Sequence, residues 1–342
     1  MTGIIKTDQI QGAGSSTVTV PTGHTLAVTD NATVGGTLGV TGDVALPSIN
    51  GSQIGGRRNI LINGAFQCWQ RGTSFSSNVY GADRWKFYAP GSHAYTRSTD
   101  TPDSPNNFQY SASVGGSGDA TGLTQFVESA NAQALPSSGS NKVILSFYLK
   151  HTTNSGTAKI TSVVGTLDST DTSGASTNRS TQNHNTTTSW ARYTHEMTGA
   201  DLTTAVTNGL VVTIKHNGSG ATVFLITGIQ LEISSQVTPF EHRTIQEELQ
   251  LCSRYYWRQY NSGSNVIYFR DNISASGQNI LYQFPAPPAM RINAASVTCT
   301  LTENVNSQTL TYHQHGTIAV YWASVSGDNY LYSEDLSIDA EI

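Results

Sequence analysis

The chain has 342 residues, of which 12% are Asp, Glu, Lys or Arg, and a formal net charge of -5, whereas an ordinary soluble domain carries about 25% charged residues. No basic run exceeds the pair Arg57-Arg58, which argues against nucleic acid as a partner. No apolar run approaches the roughly 20 residues of a bilayer-spanning helix, and the first residues lack a basic region followed by an apolar core, so neither membrane insertion nor an export signal is expected.

Length suits two or three domains, and the wealth of Gly, Ser, Thr and Asn suits an all-β protein. Residues 1–56 hold few large apolar side chains and two copies of a phrase, LAVTDN at 26–31 and LGVTGD at 38–43. Each reads as a short alternating strand ending in a turn. Segments this thin cannot bury enough surface alone. The stretch is therefore either an intertwined β segment built from several copies of the chain or a flexible Gly/Thr-rich linker.

From Arg57 to about Phe240 the texture changes. Runs such as VILSFYLKH, AKITSVVG, ARYTHEM, LVVTIKHN and TVFLITGIQLEI alternate apolar and polar residues between Gly, Asn and Ser clusters, the pattern of a two-sheet sandwich. The polar interval Asp168 to Ser189 reads as a surface loop, where binding commonly sits. Trp69 and Trp85 read as core, and Asp83 with Arg84 as a buried structural ion pair.

At 241–260 the chain turns helical. Thr244 followed by Glu247 fits a capping box, and Ile245, Leu249, Cys252 and Tyr256 fall on one helix face. That stripe needs a partner, either the neighbouring sandwich or the same helix in sister chains. A cut after Phe240 is expected to leave a folded body. Residues 261–342 return to β texture and read as a second, smaller sandwich crowded with Tyr and Trp.

Cys68, Cys252 and Cys299 are odd in number and widely spaced, the wrong pattern for a disulfide framework or a zinc site; they read as reduced, mostly buried thiols. No G-x-S-x-G, HExxH or phosphate-cradling loop is present, so no enzyme is expected. Sugar binding asks only for aromatic faces and a few polar groups. Trp322, Tyr330 and Tyr332 supply the first, and Asp328 and Asn329, placed in the turn of one hairpin, the second. Packing in a core or between subunits is the competing role for these aromatics. His313 and His315 would point to one side of a strand, where a threefold axis would gather six imidazoles for an axial transition metal, or they lie at the surface without metal.

Several phrases carry a resemblance. RRNILINGAFQCWQRGTSF followed by YGADRWKF resembles the opening of the carbohydrate-binding-module-like jelly roll of bacteriophage tail fibre proteins, and GIQLEISSQVTPFEHRTIQEELQLCSRYY resembles its end and the following helix. FPAPPAMR with SEDLSIDAEI is similar to the distal domain of such fibres. GIIKTDQIQGAGSSTVTVPTGHTLAVTD is similar to N-terminal segments of fibres from marine and cyanobacterial tailed phages. The resemblance implies a homotrimeric virion appendage made in the host cytoplasm. Residues 1–56 would be its virion-attachment and shaft segment, docked on a tail hub or baseplate. Residues 57–240 would be a jelly roll, 241–260 a helical junction, and 261–342 a distal β-domain meeting host surface glycan. It also implies a structural calcium near the first strand, for which Asn63 and Glu232 are the candidates. The alternatives are a purely structural role at baseplate, neck or capsid, and a glycan depolymerase.

Overall fold

The computed structural model describes residues 57–76, 78–89, 93–103, 107–117, 120–172, 176–260, 267–273, 279–285, 290–291, 296–299, 302–303, 307–313, 317–323, 327–333 and 335–341. All of them belong to the compact unit Pro47–Ile342. The stem expected over residues 1–56 lies outside the described residues.

The body is a jelly-roll β-sandwich. Its strands are β1 (Ser74–Phe75), β2 (Lys86–Tyr88), β3 (His93–Ser98), β4 (Ser111–Ser117), β5 (Gly122–Val127), β6 (Lys142–Thr153), β7 (Gly156–Leu167), β8 (Ser176–Thr186), β9 (Ala191–Thr198), β10 (Leu210–His216) and β11 (Ala221–Ile233), with a single helical turn, α1 (Ala205–Asn208), before β10. One sheet runs β1-β3-β4-β11-β6-β9 and the other β2-β5-β10-β7-β8, and every pairing between these strands is antiparallel.

Strand β11 shows how the sequence meets the core. Its register against β6 shifts between Thr227 and Gln230, at Gly228, whose φ is +61° and where a Cβ would fall 2.5 Å from the Phe108 ring. Such a bulge inserts a residue and changes which alternate positions face inward. Accordingly Phe224 and Ile226 before it and Ile229 and Leu231 after it all enter the same core. That core joins both sheets through Trp69, Trp85, Phe87, Tyr95, Phe147 and Val212. Trp69 and Trp85 fill it as expected, their indole N–H groups donating to Phe66 O (2.7 Å) and Asn63 O (3.0 Å).

The interval expected to be a loop contains β8, an eleven-residue strand that pairs with β7 at a sheet edge. Its Ser, Thr and Asn side chains suit a solvent-facing edge, and only His184 and Thr186 turn inward to burial.

The helix α2 (Ile245–Ser253) has the expected capping box: Thr244 Oγ1 accepts from Glu247 N, and Glu247 Oε2 accepts from Thr244 N at 3.0 Å. Its buried residues, however, are Glu248, Cys252 and Ser253, while Ile245 and Leu249 are 56% and 42% exposed. Tyr256 has left the helix for the next strand. A charged contact supplies the anchor: Glu248 accepts from Asn63 N (2.8 Å) and pairs with Arg243 (3.0 Å).

After α2 come β12 (Tyr256–Tyr260), β13 (Ile267–Ile273), β14 (Asn279–Pro285), β15 (Ser296–Cys299), β16 (Thr302–Glu303), β17 (Ser307–His313), β18 (Thr317–Ala323), β19 (Gly327–Ser333) and β20 (Asp335–Asp339). They form three three-stranded sheets, β12-β20-β15, β13-β19-β16 and β14-β18-β17. The first is tied to the body: Arg258 pairs with Asp335 at 2.7 Å and donates to Gln70 O at 3.1 Å, and Arg71 reaches Asp339 at 3.0 Å. Strands β18 and β19 lie in different sheets, so the expected hairpin of Trp322 and Tyr330 does not form, and Asp328 and Asn329 sit inside β19 instead of a turn.

Candidate functional site

The two sequence-predicted tyrosines on β19 share one face. Tyr330 and Tyr332 stack with ring centroids 6.0 Å apart and planes 26° from parallel. In the antiparallel register, Tyr332 stands opposite Tyr268 and Tyr330 opposite Arg270 on β13, and directly opposed residues project from the same side of a sheet. Tyr268 is 54% exposed, Arg270 is exposed, and Tyr330 and Tyr332 are half-buried. The result is a solvent-facing platform of three phenol rings and a guanidinium. Aromatic faces of this kind can stack on the C–H faces of a sugar while phenol hydroxyls and a guanidinium hydrogen-bond its hydroxyl or acid groups.

Tyr268 and Arg270 escaped sequence reasoning because cross-strand register, which brings residues about sixty positions apart onto one face, leaves no local pattern. Asn329 stands opposite Asp271, and Asp328 opposite Asn272, in the next two pairs of the ladder beyond Tyr330 and Arg270. Trp322, on β18, stands opposite Ile280 and Gln308 in another sheet.

A second concavity, a cleft of about 380 Å³, lies beside α2 and is lined by Arg57, Ile62, Asn131, Gln250, Leu251, Arg254 and Tyr255. Its aromatic ring is spent: Tyr255 is 1% exposed, donates to Glu128 Oε2 at 3.1 Å and accepts from Asn131 at 3.1 Å. The cleft offers polar groups without an open ring face.

Asp83 and Arg84 do not pair with one another. Asp83 accepts from Gln70 N (3.2 Å) and Gln70 Nε2 (2.8 Å), with Arg71 at 3.7 Å. Arg84 pairs with Glu341 and donates to Phe126 O, its guanidinium stacked 3.4 Å over the Tyr255 ring. The reversal between neighbours coincides with a left-handed backbone at Arg84, φ 72°, which sends the two side chains to different partners. Burial pushes the Asp83 carboxyl up to about 6, in the range of a general acid, yet Asp83 has no exposed surface and no substrate can touch it.

Another constellation resembles nucleophile chemistry more than it can perform it. Ser162 Oγ lies 2.8 Å from His184 Nε2 and 2.9 Å from His195 Nδ1, and Ser180 Oγ 2.8 Å from His195 Nε2. Ser162, His184 and His195 are all buried. Burial pushes both imidazoles down to about 4, as it does His151, so all three are neutral.

The calcium candidates have other work. Asn63 Oδ1 accepts from Cys68 N (3.0 Å), and Glu232 accepts from Thr238 N (3.0 Å) and Thr238 Oγ1 (2.5 Å). His313 ends β17; His315 lies outside the described residues.

No protein-family model matches the sequence, and no curated protein matches it. Solved structures do. The CBM22-1 xylan-binding domain of Paenibacillus barcinonensis Xyn10C aligns with 54% of this chain and all of its own length at 12% identity and a TM-score of 0.34. TmCBM61 in complex with β-1,4-galactotriose aligns with 52% of this chain and all of its own at 16% and 0.31. The enzymatically active domain of bacteriophage CBA120 tailspike protein 4 aligns with 51% of this chain and 21% of its own at 15% and 0.31.

Proposed function

We propose that this chain is the adhesive subunit of a homotrimeric bacteriophage tail fibre, holding host surface glycan on the platform of Tyr268, Arg270, Tyr330 and Tyr332. The observation that carries the reading is that platform, in which Tyr268 and Arg270 are exposed and the stacked Tyr330 and Tyr332 half-buried. The phrases at 57–87, 228–256 and 284–291 support the fibre assignment through their resemblance. Exposed Ile245 and Leu249 support threefold assembly, since a stripe left open by one chain suits the same helix in its sisters.

Individual sites of this kind bind weakly, and three per fibre raise avidity by about 10² to 10⁴ without further contacts. Residues 1–56 would dock on the tail hub or baseplate, and the fibre would be made in the host cytoplasm. No catalytic step is assigned: Asp83 and Glu232 are buried and engaged, so neither can serve a glycan-cleaving carboxylate pair.

The test is adsorption. Added protein should block attachment of the phage to its host, and the double variant Tyr330→Ala/Tyr332→Ala should lose that block, with retention on host polysaccharide weakened about ten-fold or more. Undiminished retention by the variant would remove the platform from the proposal. Unchanged adsorption alongside normal binding to virion components would favour a structural appendage, and a fall in polysaccharide size would favour a depolymerase.

A further inference from the structure

Three acidic donors converge inside the body where no sequence motif announces them. The Sγ atoms of Cys68 and Cys252 and a carboxylate oxygen of Asp83 all lie within 4.8 Å of one another, and all three residues are buried. Both thiols are free.

Their mounting is rigid and shared. Asn63, with φ 56°, donates through Nδ2 to Cys68 O (2.9 Å) and Asp83 O (3.0 Å) and accepts from Cys68 N through Oδ1 (3.0 Å). Its own N–H donates to Glu248 of α2 at 2.8 Å, one turn before Cys252. Asp83 N donates to Cys68 O at 3.0 Å. One asparagine thus fixes all three segments that carry the donors, as outer hydrogen bonds orient ligands in metal sites.

The donors also have capacity to spare. A carboxylate offers about four lone-pair positions, and Gln70 occupies two on Asp83. Two thiolates and a carboxylate around a dication leave one negative charge, and Arg71, which Asp339 and Glu341 share, lies 3.7 Å from Asp83. Sulfur donors with one oxygen select a soft or borderline metal over calcium or magnesium. Metal binding would release the thiol protons to solvent and turn the same groups into ligands.

We propose that Cys68, Asp83 and Cys252 form a zinc site joining α2 to the jelly roll and supply three ligands of a tetrahedral centre. Spacing in the sequence gives no sign of such a site, because Cys68 and Asp83 lie on either side of β1 and the third donor comes from α2, far along the chain.

Full-length protein is unfolded under reducing conditions, refolded with excess Zn(II), and freed of unbound metal by gel filtration. The expected content is about one zinc ion per chain, falling to background in the double variant Cys68→Ser/Cys252→Ser. Because those variants can fail to fold, wild-type protein refolded with Cd(II) supplies a second reading: a thiolate-to-metal ultraviolet band should appear, and it should persist in Cys299→Ser. Zinc no higher in wild type than in the folded double variant overturns the site. So does absence of the cadmium band in wild type, its loss in Cys299→Ser, or a chain two hydrogens lighter under non-reducing conditions, the mark of a disulfide.

Discussion

Asn63→Asp is the most economical test of whether α2 and the jelly roll fold as one unit. The change is nearly isosteric and Asp tolerates a left-handed backbone, so the φ of 56° is preserved. What it removes is the amide that donates to Cys68 O at 2.9 Å and Asp83 O at 3.0 Å. Each buried hydrogen bond contributes about 1 kcal/mol net. Asp83 O is then left facing a carboxylate oxygen, and an orphaned buried acceptor costs a further 1–3 kcal/mol or so. Protonation of the new carboxyl would limit the charge penalty, so the total should be about 3–5 kcal/mol, a large share of the roughly 5–15 kcal/mol available to a folded domain. Asn107→Asp is the control, because Asn107 has φ 48° and is exposed; it should change stability by no more than about 0.5 kcal/mol. Urea unfolding followed by tryptophan fluorescence reads both, since Trp69 and Trp85 pack near Asn63. Equal midpoints for the two variants would refute the claim that Asn63 holds the junction.

Acid should weaken the fold. His151, His184 and His195, pushed down to about 4 by burial, each take up a proton on unfolding as pH falls from about 6.5 to 4, which lowers stability by up to about 1.4 kcal/mol per pH unit for each; Asp83, pushed up to about 6, opposes this in metal-free protein, and urea midpoints equal at pH 7 and pH 5 would contradict the balance. Thr244→Ala removes the cap of α2 and should cost about 1 kcal/mol, again read by urea titration, with no change refuting the cap's contribution. A chain ending at Phe240 should lose cooperative unfolding in calorimetry, because it deletes Arg243, Glu248 and Glu341, which meet Asn59, Asn63 and Arg84 of the body; a sharp transition would instead support the boundary read from sequence.

The parts legible in the sequence were those whose physics is local. Alternation in 143–151 and 191–197 became β6 and β9 because one face of each meets the core, and the capping box at Thr244 formed because both of its bonds lie within four residues. Parts decided at long range were not legible. β8 reads as a loop because an edge strand with a polar outer face has little apolar signal to give. Asp83 and Arg84 look like a pair until their partners, Gln70 with Arg71 and Glu341, are seen. The apolar stripe of α2 did not announce how the helix meets the body, because the helix is held through Glu248, and a buried carboxylate met by an N–H and a guanidinium has no periodic signature. On the platform, Tyr330 and Tyr332 were legible by their spacing of two, while Tyr268 and Arg270 waited on register.

The pairing of Arg84 with Glu341 joins residues 257 positions apart. At synthesis rates of about 5–20 residues per second, the guanidinium is made on the order of ten seconds or more before its carboxylate exists. Removing one partner of a buried ion pair costs about 3–5 kcal/mol, so throughout that interval the nascent body carries a cation it cannot comfortably enclose. Full enclosure of the Arg84 guanidinium therefore waits on Glu341, so a chain cut short before that residue is expected to hold its sandwich less firmly shut than the finished one.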